Sequence, residues 1–124
     1  MSATRPRPRL PKVSEQMKAW AAALASDLAT WPHVTTRPMF GFTAWYRKGT
    51  ILAVLPKTRG METPNSLAFK LPKASPRLRS QLQKDTRIGS TEMQKARWFT
   101  FELTTDEDLH DALEWLRRAY EETR

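Results

Sequence analysis

The stretch MFGFTAWYRKGTILAVL, residues 39–55, decides the fold of this chain. Two segments rich in aromatic and aliphatic residues stand on either side of Lys48 and Gly49. Glycine adopts a positive φ without steric cost, and a tight two-residue turn that joins antiparallel strands requires such a φ. We therefore predict a β-hairpin whose strands cover about 39–47 and 50–56.

The turn also sets the register of this hairpin. It pairs Arg47 with Thr50, Tyr46 with Ile51, and Trp45 with Leu52. Because side chains alternate between the two faces of a strand, the register divides the residues into two sets. The face predicted to form the core carries Phe40, Phe42, Ala44, Tyr46, Ile51, Ala53 and Leu55, joined by Leu67, Phe69, Leu71, Phe99, Phe101 and Leu103. The opposite face carries Met39, Gly41, Thr43, Trp45, Leu52 and Val54, joined by Trp98.

The segments around the hairpin complete the fold prediction. Apolar residues at helical spacing follow three starting points, at Ser14, Ser75 and Thr104, which are residue types favoured as N-caps. Strand-type patterns recur at 65–71 and 97–103. The order α-β-β-β-α-β-α predicts an α+β, two-layer domain in which helices pack mainly on one face of an antiparallel sheet.

Charge is unevenly distributed along the 124 residues, whose net charge is +8. Residues 1–12 alternate Arg and Pro, which predicts a flexible basic arm before a single domain over 13–124. Residues 37–101 carry thirteen basic and three acidic side chains, whereas residues 102–124 carry three basic and eight acidic ones. This pattern favours a positive surface that attracts polyanions, although the same charge could serve solubility alone.

Two kinds of interaction residue follow from these patterns. Basic side chains of the strands and loops are candidates for contact with nucleic-acid phosphates: Arg37, Arg47, Lys48, Lys57, Arg59 and Lys70. Apolar side chains of the second sheet face are candidates for covering by another group: Met39, Gly41, Trp45 and Trp98. That cover could be a second protomer, the arm, a helix or unstacked bases. A homodimeric interaction module without a nucleic-acid role is the alternative function.

Residues suited to catalysis are few. The chain has no cysteine, and its four glycines are scattered rather than gathered in a phosphate-binding loop. His33 follows a helix-ending proline, and His110 stands one helical turn before Glu114, a spacing typical of a surface pair. We expect no enzyme activity, catalytic residue, metal site or cofactor. No apolar stretch is long enough to span a membrane and no secretory signal is evident, so a cytoplasmic location is expected.

Several short motifs resemble a known family in their order and spacing. They are MFG at 39–41, Tyr46, ILAVL at 51–55, LAFKL at 67–71, Trp98 and LEWLRRAY at 113–120. In these residues the chain resembles the N-terminal domain of the TfoX competence-regulator family and the related MmcQ/YjbR-like proteins, although Phe42 stands where a second glycine is usual. The resemblance implies a YjbR-like or secretion-chaperone-like α/β domain and a DNA-binding or regulatory role.

Overall fold

The computed structural model describes residues 11–89 and 97–123. Within them, five strands form one antiparallel sheet in the order β1-β2-β3-β4-β5, and three helices pack against it. The elements are α1 (Glu15–Leu28), β1 (Val34–Met39), β2 (Phe42–Arg47), β3 (Thr50–Pro56), β4 (Ser66–Lys70), α2 (Pro76–Lys84), β5 (Trp98–Glu102) and α3 (Asp108–Glu122). The predicted α+β class is confirmed, with one strand more than expected.

The first two helices start where the sequence predicts, whereas α3 starts at Asp108 with Glu107 as its N-cap rather than after Thr104. The Ser14 hydroxyl accepts a hydrogen bond from the amide of Met17 at 3.0 Å, and the Ser75 hydroxyl accepts one from the amide of Leu78 at 3.1 Å. Each bond satisfies an amide that has no partner within its own helix. Pro76, at the first helical position of α2, has no amide proton to satisfy.

The additional strand is β1, and it divides the first predicted strand. Phe40 and Gly41 have φ values of +43° and +89°, so they form a tight turn, and Met39 pairs with Phe42 across it. The strand predicted over 39–47 therefore begins only at Phe42. The sequence pattern does not predict β1, because an exposed edge strand needs no alternation of apolar and polar residues and tolerates Pro38.

A bulge changes the register of the predicted hairpin. Arg47 pairs with Thr50 and Tyr46 pairs with Ile51, as predicted, but Trp45 pairs with Ala53 and leaves Leu52 without a partner. An extra residue in one strand shifts all residues beyond it relative to the neighbouring strand. The predicted faces of β2 are therefore exchanged.

The main core lies between the sheet and the three helices. Trp45 belongs to it and is only 5% exposed, whereas Phe42, Ala44 and Tyr46 lie on the other face. Phe40, also predicted for the core, is 96% exposed. Ile51, which pairs with Tyr46, was also predicted for the core but packs beside Phe42, Val54 and Ala68 on the other face. The other strand residues of the predicted core are buried on the helix side as expected: Ala53, Leu55, Leu67, Phe69, Leu71, Phe99, Phe101 and Leu103.

The predicted basic arm is described only at its end, since residues 1–10 lie outside the described residues. The amide of Gly60 donates a hydrogen bond to the carbonyl oxygen of Pro11 at 2.8 Å. Lys12 forms an antiparallel bridge with Arg59. Pro11 and Lys12 therefore pack against the domain through their backbones.

Candidate nucleic-acid interface

The sheet face turned away from the helices, called here the open face, carries two pairs of a cation and an aromatic ring. The guanidinium carbon of Arg37 lies 5.6 Å from the centroid of the Tyr46 ring. The ammonium nitrogen of Lys70 lies 5.9 Å from the centroid of the Trp98 ring. These distances are within the range of a cation–π interaction. The four residues are called here the aromatic–basic row.

The strand register explains how the row is assembled. Lys70 pairs directly with Trp98 across β4 and β5, and Arg37 reaches the Tyr46 ring from the neighbouring strand β1. Because adjacent strands are antiparallel, the end of β2, the end of β4 and the start of β5 meet at the same end of the sheet. Lys48, in the β2–β3 turn, is exposed at this end.

The cations of this surface have no acidic partner in the described part of the chain. Lys18 and Arg87 are the basic residues that form ion pairs there. Arg37 is exposed, and Lys70 is half-buried. Their charges are therefore available to an anionic ligand.

Arg47 does not belong to this surface. Its guanidinium group lies 4.0 Å from the centroid of the Tyr120 ring, and its Nη1 donates a hydrogen bond to the Tyr120 carbonyl oxygen at 2.9 Å. Its Nε is buried without a hydrogen-bond partner in the described residues. Arg47 thus connects β2 to α3, where a phosphate would have to displace existing contacts.

The predicted basic residues Lys57 and Arg59 lie at the opposite end of the sheet. They are exposed and belong to the loop over residues 57–65, called here the covering loop. The amides of Lys57, Thr58 and Arg59 all donate to the carbonyl oxygen of Gly41, at 3.0, 2.9 and 3.2 Å. The space over Gly41 is therefore occupied by this loop.

The covering loop shields the centre of the open face. Met61 packs against a small cluster formed by Phe42, Val54 and Ala68. The Ser66 hydroxyl accepts hydrogen bonds from the amides of Glu62 and Thr63, both at 3.0 Å, which fixes the loop above the sheet. The aromatic–basic row borders this cluster, since Trp98 packs against it.

The four residues predicted for a single apolar sheet face, Met39, Gly41, Trp45 and Trp98, do not lie on the same face. Met39 and Trp98 are half-buried beside the small cluster on the open face. Trp45 lies on the helix side in the main core, and Gly41 lies in a turn that the covering loop contacts. The hypothesis of one mixed face that contains both tryptophans is therefore wrong, because the bulge at Leu52 exchanged the faces of β2.

A groove of about 340 Å³ lies between α1 and strands β2 and β3. Lys18 and Lys57 are exposed at its margin, and Trp45 is its aromatic residue. It is called here the α1 groove, and its lining is Lys18, Ala21, Ala22, Ala25, Thr43, Trp45, Leu55, Pro56 and Lys57. It is mainly apolar, and the open-face cations do not line it.

A cluster of charged residues joins the end of α2 to the start of α3. The Arg87 guanidinium group bonds the carboxylates of Asp85 at 2.9 Å, Asp108 at 2.8 Å and Asp111 at 3.0 Å. The hydrogen bond from Arg87 holds the pKa of Asp85 below its ordinary value. One guanidinium group thus bridges three carboxylates from two parts of the chain, so the cluster holds α2 and α3 together.

Within this cluster, the pKa of Asp108 is also lowered. Burial raises its pKa, but four hydrogen bonds outweigh that effect and lower the pKa to about 2. The donors are the Thr104 amide, the Arg87 guanidinium, the Thr105 amide and the Thr104 hydroxyl. Asp108 thus accepts from the residues just before α3 and fixes the start of that helix.

The described residues contain no group of three or more His, Cys, Asp or Glu residues that could hold a metal ion. His33, in the turn before β1, and His110, on α3, are both exposed. Among the helices of the described ranges, none is long and apolar enough to cross a membrane.

Comparisons with protein-family models, with curated proteins and with solved structures find no match for this chain. The residues of the molecule therefore carry the functional argument by themselves. Sequence reasoning identified Arg37, Lys70 and Trp98 singly, but it placed Tyr46 in the core. Recognition of β1 as the strand beside β2 would have brought Arg37 and Tyr46 together.

Proposed function

We propose that the protein binds single-stranded nucleic acid at the aromatic–basic row, as a binding domain without catalytic activity. The observation that carries the proposal is the presence of two unneutralised cation–aromatic pairs, Arg37 with Tyr46 and Lys70 with Trp98, on one sheet face. Proteins that bind single strands combine cations for the phosphates with aromatic rings on which bases stack. The resemblance to the TfoX and YjbR-like proteins points to the same class of ligand and stays a prediction.

The spacing of the two rings supports a single strand over a duplex. Tyr46 lies on β2 and Trp98 on β5, three strand spacings apart, which is roughly 14 Å. A flexible single strand can turn successive bases toward rings at such positions, whereas a duplex keeps its bases stacked inside. Each ring would contact a different base of one strand.

The charge distribution supports a nucleic-acid ligand that is recognised through its phosphates. Arg37, Lys48 and Lys70 supply three cations near the row, and the acidic residues of α3 lie in the helix layer on the other side of the sheet. Phosphate contacts give affinity without sequence information. We therefore expect binding that depends strongly on salt and weakly on base sequence.

The test is a titration of a fluorescently labelled, mixed-sequence single-stranded oligonucleotide, followed by anisotropy at several salt concentrations. The double variant Arg37→Glu with Lys70→Glu should weaken binding at least about tenfold and reduce the salt slope by about 1.4, since each phosphate contact to a single strand contributes about 0.7. Arg77→Glu with Lys84→Glu is a charge-matched control, because both residues are exposed on α2 in the helix layer.

A second variant separates stacking from charge. Trp98→Ala should weaken binding by about 1–3 kcal/mol through loss of base stacking while leaving the salt slope unchanged. Undetectable binding of the unmodified protein at low salt would refute the proposal. An equal loss in the α2 control would show that binding follows net charge rather than the row.

A further inference from the structure

Phe40 is a large apolar side chain that the protein leaves almost fully in water. It is 96% exposed and stands at the tip of the β1–β2 hairpin. Single exposed apolar residues are common, but an aromatic ring of this exposure at a protruding tip is not explained by any contact within the described chain.

The backbone of Phe40 is also unfavourable. Its φ is +43°, in the left-handed region, where asparagine or glycine is the usual residue before the glycine of such a turn. A ring at this position destabilises the hairpin relative to asparagine and gains no burial in return. Strain of this kind persists where a side chain serves another purpose.

The α1 groove has the chemistry to receive an aromatic ring. Apolar side chains of α1 and β3, together with Trp45, line a space of about 340 Å³. Lys57 stands at its margin, where its ammonium group can lie against the face of an inserted aromatic ring, and Lys18 at the margin is paired with Glu15.

The ring and the groove lie at the same end of the molecule. Phe40 precedes Gly41, whose carbonyl oxygen accepts the amide of Lys57 at 3.0 Å, and Lys57 lines the groove. The exposure of Phe40 shows that it does not fill the groove of its own chain. When a ring and a groove lie this close together, the ring of one copy can enter the groove of a second copy, and a two-fold axis repeats the contact in the other direction.

We propose that the Phe40 ring of one copy inserts into the α1 groove of a second copy, and that a two-fold axis forms this contact twice. An inserted aromatic side chain buries roughly 150–250 Å². Two such contacts with their surroundings form an interface below the standard size, so the dimer is weak and concentration-dependent. Both copies carry a net charge of +8, so their repulsion is screened by salt and the dimer is stronger at high ionic strength.

The test measures self-association by sedimentation velocity over a range of protein and salt concentrations. Phe40→Asn removes the ring and supplies the residue that the turn favours, so it should raise the Tm of the monomer while weakening the dimer at least about tenfold. Ala22→Trp, at an exposed position that lines the groove, should weaken the dimer to a similar extent by filling the site. Ala23→Trp, exposed on α1 outside the groove lining, is the matched control.

A mixture of the two variants gives the decisive result. The Phe40→Asn chain keeps its groove and the Ala22→Trp chain keeps its ring, so the mixture regains one of the two contacts and associates more strongly than either variant alone. Ala22→Leu replaces the tryptophan variant if near-ultraviolet circular dichroism shows that the latter is unfolded. A monomer at every concentration, unchanged dimerisation of either variant, or no association in the mixture would each overturn the proposal.

Discussion

The carbonyl oxygen of Gly41 accepts a hydrogen bond from the amide of Thr58 at 2.9 Å, which attaches the β1–β2 turn to the covering loop. A Cβ at position 41 would lie 2.8 Å from both the Thr58 hydroxyl and the Arg59 Cγ, and the φ of +89° is unfavourable for any other residue. The turn and the loop thus depend on the absence of this side chain.

We expect Gly41→Ala to lower the free energy of unfolding by about 2–3 kcal/mol, because it combines backbone strain with a steric clash. Gly49→Ala is the control: its φ is +82°, but nothing lies within 4 Å of the added Cβ. The control should cost only the strain of about 1–2 kcal/mol. Urea unfolding measures both, and equal losses would show that the contact with the covering loop is unimportant.

Trp45 and Trp98, which lie on opposite faces of the sheet, should differ in their contribution to stability. Trp45→Ala removes a buried side chain of the main core, so we expect a loss of about 3–5 kcal/mol in the free energy of unfolding. Trp98→Ala removes a half-buried ring of the open face and should cost about 1–2 kcal/mol. Chemical denaturation compares them, and a larger loss for Trp98 would contradict the observed register.

Stability should fall in acid because of Asp108. Its pKa is lowered to about 2 in the folded protein, from an ordinary value of 3.8, so its carboxylate stabilises the fold fully above pH 3.8. That stabilisation, about 2 kcal/mol for a side chain only 13% exposed, is lost as the pH falls through 2.

Urea unfolding between pH 2 and pH 6 measures this dependence. Asp108→Asn should reduce the fall in stability in acid, with the lowered pKa of Asp85 keeping a part of it, and should make the variant less stable than the unmodified protein above pH 3.8. Asp27→Asn, an exposed position on α1, is the charge-matched control. Identical pH profiles for Asp108→Asn and the unmodified protein would refute the assignment.

Replacement by alanine should lower the stability of the protein at Arg47 and its oligonucleotide binding at Arg37. Arg47→Ala removes the stacking on Tyr120 and the hydrogen bond to its carbonyl oxygen, so the free energy of unfolding should fall by about 1–3 kcal/mol. Arg37→Ala should change stability by less than about 0.5 kcal/mol because Arg37 is exposed, but it should weaken oligonucleotide binding. Thermal unfolding and anisotropy titration on both variants decide whether their roles differ in this way.

Local patterns in the sequence predict most of this fold. The caps at Ser14 and Ser75 and the turn at Lys48 and Gly49 depend on neighbouring residues alone, and each is present. The face of Trp45 depends on a bulge in the facing strand, which no alternation within its own strand reveals. The same bulge explains why the sequence pattern does not predict Tyr46 at the candidate interface, because Tyr46 follows Trp45 and changes face with it.

Both edges of the sheet are protected against the addition of a further strand. The edge strand β1 contains Pro38, which lacks an amide proton, beside the charged Arg37. At the other edge, the backbone of residues 87–89 hydrogen-bonds to β5, with Gly89 donating to Thr100 and Glu102 donating to Arg87. Copies of this chain are therefore discouraged from joining sheet to sheet, so association through the Phe40 side chain would leave the proteins separable rather than leading to aggregation.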